Sequence, residues 1–138
     1  MEHQEDIRVG DVFALNMVPA QGINPQGYAT RRKFFIVVGF DEEGNVYGGV
    51  VFNSQINPRL SEIVRTYHLP IDDEAYPFLS HRSFVNCSSL KKVMRDDMLK
   101  GKRIGEMRAF DLDLIIGALI ECPLVPNRDL QRIGIKTK

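Results

Sequence analysis

The stretch "FFIVVGFDEEGNVYGGVVF", residues 34–52, decides the fold. Phe34 to Val38 is apolar at every position, so a strand here needs cover on both faces, one lining a β core and the other meeting a helix or a second subunit. "FDEEGNVYGG" then turns the chain, with Gly44 able to take a positive φ, and "VYGGVVF" returns as the antiparallel partner. The two ends of a hairpin meet. Arg31, Arg32 and Lys33 enter it, and Asn53, Ser54, Gln55 and Asn57 leave it, so a cationic cluster and a polar cluster are expected at one sheet edge.

Outward from the hairpin, the pattern stays β. "VGDVFALNM" reads as a first strand, with Val12, Ala14 and Asn16 on one face and Phe13, Leu15 and Met17 on the other. Between it and the hairpin, "VPAQGINPQGYATRR" carries two prolines and two glycines and reads as a long exposed loop, a length that tends to be functional. Residues 63–71, "IVRTYHLPI", are β-branched and aromatic enough for a strand, with Pro70 assigning it to an edge. "SFVNCSSLKKVM" gives two short strands broken at residues 86–89. Strands with regular turn signals point to a small barrel or sandwich. The end differs: in "FDLDLIIGALIEC", Leu112, Ile115, Ile116, Leu119 and Ile120 keep helical spacing, and Pro123 stops the helix.

At 138 residues the chain is one ordinary domain, read as a flexible N-terminus (1–8), a single domain (9–122) and a C-terminal extension (123–138) that packs as an extra strand or hangs free. Apolar residues make up 43% and charged residues 26%, which is globular composition. Formal charge is zero, so nucleic-acid binding has to come from local clusters of cations rather than a global field. Cys87 and Cys122 have no zinc or disulfide spacing and read as half-buried thiols in a reducing compartment. "MEHQEDI" is acidic and polar, and no apolar run approaches the roughly 20 residues that span a bilayer, so a soluble, cytoplasmic protein is expected, away from membranes.

Taken in order, "GDVF", "PAQG", a basic residue leading into "FFIVV", a return strand ending in "NS", "SFVNCSSL" and "RIGEMRAFDLDLIIGAL" resemble the MazF/PemK family of toxins from bacterial toxin-antitoxin systems. The similarity runs from Gly10 to Leu119, carried by the order of short motifs. It implies a mainly β fold, a small SH3-like barrel of the MazF/PemK/CcdB kind with a C-terminal helix. It also implies a homodimer, an antitoxin partner and metal-independent, cofactor-free cleavage of single-stranded RNA that leaves a cyclic phosphate and a free 5′ hydroxyl. By similarity, Arg32 falls at the family's arginine and Ser54 at its Thr or Ser. Asn24 stands where the family loop often has an acidic residue, and Lys33 where it has proline.

Attack of a 2′ hydroxyl on its neighbouring phosphate needs a proton acceptor, a donor to the leaving oxygen, and donors aimed at the charge that builds on phosphorus. Arg32 suits the last role, since its planar fork binds phosphate bidentately, and Ser54 can donate to the same group. Neither is a good base unaided. His81, in "LSHRSF", is the candidate proton carrier, against the plainer reading, shared by His68 and His3, of a surface or hydrogen-bonded structural residue. Candidate RNA contacts are Asn24, Gln26, Tyr28, Arg31, Lys33, Asn53 and Arg82, with Tyr28 able to stack an unpaired base. The basic run "LKKVMRDDMLKGKR" is interleaved with Asp96 and Asp97 and reads as a solvated face. The alternative function is a catalytically inactive barrel that binds protein or nucleic acid.

Overall fold

The computed structural model describes residues 7–17, 31–52 and 59–135. The chain order is β1 (Asp11–Met17), β2 (Arg31–Phe40), β3 (Val46–Phe52), α1 (Glu62–Thr66), β4 (His68–Ile71), a 3-10 turn (Asp73–Ala75), β5 (Ser83–Asn86), β6 (Lys91–Val93), α2 (Arg95–Leu99), β7 (Lys102–Glu106), α3 (Ala109–Glu121) and α4 (Asn127–Arg132). The protein is mainly β, one antiparallel sheet with short helices around it.

The hairpin is as expected. β2 and β3 pair from Phe40↔Val46 to Phe34↔Val51, and Gly44 sits at φ 83° in the turn. Asp41 Oδ1 accepts from the backbone N–H groups of Glu43 and Asn45, which closes the turn locally. Gly48 is required for another reason: a Cβ there would lie 1.9 Å from the Ile36 carbonyl oxygen.

Both faces of β2 are buried, as its unbroken apolar run requires. Phe35 and Val37 join Phe13, Leu15, Met17, Val46, Val50 and Val93 in one cluster, which Met98 of α2 helps to close. Ile36 and Val38 join Val12, Val51 and Val85 in the other, covered by Ile115 and Leu119 of α3. The alternation read along β1 is thereby realised on the two faces.

The expected small barrel is not closed among the described residues. Pairing runs β4-β5-β3-β2-β1-β7, with β6 beside β5 on the same flank of β3, and the end strands β4 and β7 do not pair with each other. Helices cover the two apolar faces instead. β4 is an edge strand, as Pro70 demands, but the strand expected over residues 63–71 begins late: Ser61 caps a helical turn by accepting from Val64 N at 3.4 Å. Local capping outweighs the β-branched character of Ile63 and Val64.

The basic run 90–103 spans β6, α2 and the start of β7, and Lys92, Asp96, Asp97, Lys100, Lys102 and Arg103 in it are exposed. Among the described residues of the C-terminal extension, 123–135, Asn127–Arg132 form a helix, α4, rather than a strand, and bury Leu130 completely. Of the expected flexible N-terminus, residues 1–6 lie outside the described residues, and Ile7 is buried.

Candidate functional site

β1 and β2 pair through Asn16↔Arg32, which puts both residues near the end of their ladder. β7 follows β1 only as far as Ala14↔Lys102, so the edge of β1 beyond Ala14 has no β7 partner. The connection from α2 to β7 crosses there. Gly101 permits it, because a Cβ at that position would lie 2.2 Å from Leu15 Cδ2 and 2.8 Å from the Ala14 carbonyl oxygen. Lys100 and Lys102 flank this contact.

The result is a cleft of about 320 Å³. The buried Ala14, Leu15 and Val93 form its floor, and the polar residues that line it are Asn16, Arg32, Asp97, Lys100 and Lys102. Three cationic residues and one acidic residue thus line it. Lys100 Nζ stands 3.6 Å from Asp97 Oδ1, too far for a hydrogen bond, so the pair is a loose one on the surface. A guanidinium fork with two ammonium groups and an amide suits a phosphate or a short run of phosphodiesters.

The other sequence candidates fall elsewhere. His81 and Arg82 precede β5 and are exposed; Ser80 Oγ and His81 Nδ1 are 3.0 Å apart, and the Arg82 guanidinium carbon lies 6.0 Å from the Phe84 ring centroid. Arg82 lines a separate recess with Pro70 and Asp72. Since β5 pairs with the end of β3 (Phe52↔Phe84), these residues share the sheet end at which β2 begins, but β3 separates them from Arg32. His81 is outside the lining of the Arg32 cleft. His68 is buried, and its Nδ1 donates to the Val64 carbonyl at 2.7 Å, a structural role. Lys33 pairs opposite Leu15 on β2. Asn24, Gln26, Tyr28, Asn53 and Ser54, and the side chain of Arg31, lie outside the described residues.

Another polar cluster is architectural. The Tyr76 hydroxyl donates to Asp111 and accepts from the Arg108 backbone N–H at 3.1 Å, which ties the segment after the 3-10 turn to the start of α3. Burial, then the bond to Asp111, raises the Tyr76 pKa above its ordinary value. Among the described residues, no group of three or more His, Cys, Asp or Glu side chains gathers as a metal site, and no helix is long and apolar enough to cross a membrane.

Sequence reasoning missed Lys100, Lys102 and Asp97 as cleft residues. Interleaved signs made their segment read as solvated surface; the available signal was Gly101 between two lysines, a residue that lets backbone approach backbone. No family model matches the chain, and no curated protein matches it.

Proposed function

We propose that the protein is a toxin-like, metal-independent endoribonuclease acting on single-stranded RNA, with the Arg32 cleft as its phosphate site. The observation that carries this reading is the convergence of Arg32, Lys100 and Lys102 on one cleft. The order of motifs shared with the MazF/PemK toxins supports it, and in this reading the sheet is an opened form of that family's SH3-like barrel. Arg32 neutralises the charge that builds on the phosphorane, Ser54 donates to the same group, and the 2′ hydroxyl displaces the 5′ oxygen to leave a cyclic phosphate. A homodimer and an antitoxin belong to the same reading, the antitoxin's carboxylates competing with RNA phosphates for the cleft.

The test is incubation of the pure protein with single-stranded RNA in excess chelator, beside Arg32→Ala. Wild type should cleave, and Arg32→Ala should be slower by about 100-fold or more. Absence of cleavage, or equal cleavage by both, overturns the nuclease reading. A second reading, a binding module without catalysis, is favoured by the position of His81 away from the cleft and by Asn24 at the family's acidic position. It predicts Arg32-dependent RNA binding with no cleavage.

A further inference from the structure

Asp97 is the odd member of its cleft. Arg32, Lys100 and Lys102 suit a phosphodiester, whereas a carboxylate beside them repels one, so its presence favours a ligand that also carries hydrogen-bond donors. Its side chain is 52% exposed, and Lys100 Nζ stands 3.6 Å from Oδ1 on a side chain that is itself 79% exposed. A pair this open and loose yields readily to a better-placed donor. The carboxylate therefore offers a ligand a planar fork of two acceptor oxygens.

The bases of a single strand present their Watson–Crick edges unpaired, and only one of them fits such a fork. Guanine carries N1–H and the N2 amino group side by side, two parallel donors for two oxygens. Adenine and cytosine set one amino group beside an acceptor nitrogen, which a carboxylate repels. Uracil sets one N–H between two carbonyls.

On the reading of the cleft as an RNA site, we propose that Asp97 selects guanine at the nucleotide whose phosphate is held by Arg32, Lys100 and Lys102.

The test is fluorescence anisotropy in chelator with labelled 2′-O-methyl pentanucleotides, which lack the attacking hydroxyl: UUGUU, UUUUU and UUIUU, where inosine lacks the N2 amino group. Wild type should bind UUGUU about tenfold more tightly than either of the others. Asp97→Asn, which replaces one acceptor by a donor, should abolish that preference, while Lys100→Met should weaken all three and keep their ratio. Equal binding of all three by wild type, or a guanine preference retained in Asp97→Asn, overturns the guanine assignment. If that happens while Arg32→Ala still loses binding, the RNA cleft stands without it. If no oligonucleotide binds, both fail together.

Discussion

Cys87 and Cys122 are free, as expected, but fully buried rather than half-buried. Burial first, and the nearby Cys122 second, push the Cys87 thiol from 9.0 up to about 12. A raised folded pKa means that the native state holds the proton more tightly than the unfolded chain does. Its contribution to stability is therefore complete below pH 9 and is lost as pH climbs toward 12. Tyr76, raised from 10.0, acts in the same direction. Melting temperature should fall from about pH 9 upward, and less steeply in Cys87→Ala. Iodoacetamide at pH 8 should leave Cys87 unlabelled in the native protein and label it in urea; rapid native labelling would contradict the burial. The same contrast explains what was legible residue by residue. Arg32 stands out in the sequence because three cations abut an apolar run. Asp97, Lys100 and Lys102 do not, because their meeting with Arg32 depends on β1 lying between two strands distant in sequence.

At the level of elements, uninterrupted patterns were the readable ones. The β2–β3 hairpin and α3 follow from apolar runs at strand and helical periods, and the break between β5 and β6, residues 87–90, falls one residue later than the expected 86–89. Short elements were misjudged where a local hydrogen bond decided the outcome, as Ser61 does for α1. β7 was missed because Lys102 and Arg103 open it with charge, although Ile104 and Gly105 carry it inward. The tightest constraint in the sheet is Gly48, where an added methyl meets the Ile36 carbonyl oxygen and, at 2.8 Å, the Phe35 ring. Backbone in a paired strand cannot yield cheaply. Gly48→Ala should lower stability by about 3 kcal/mol or more in urea melts; a loss below about 0.5 kcal/mol, the range of ordinary surface substitutions, would mean the strands are not so close.

For the molecule as a whole, zero net charge leaves no long-range field to gather RNA. On the proposed RNA reading, attraction comes from local cations, to which the cleft contributes Arg32, Lys100 and Lys102. Binding of a short single strand should then weaken with salt on a log–log slope of about −2, and Lys100→Met should reduce that slope by about 0.7. A slope several-fold steeper would locate the binding surface outside the cleft. A mainly β fold with a late helix was legible from the pattern of runs and turns, whereas an open sheet was not, because closure depends on how the end strands lie and not on their sequence alone.

The pairing of β1 with β7 joins Asp11 to Glu106, nearly the two ends of the sheet-forming chain. During synthesis, β1, β2 and β3 emerge early and have only one another to pair with, so Arg32 reaches its strand long before Lys100 and Lys102 exist. The lining of the cleft is complete only once Lys102 has been made. On the proposed nuclease reading, a chain stalled or truncated before that point carries the arginine without the two lysines of its phosphate site, and so without the means to hold the RNA that encodes it.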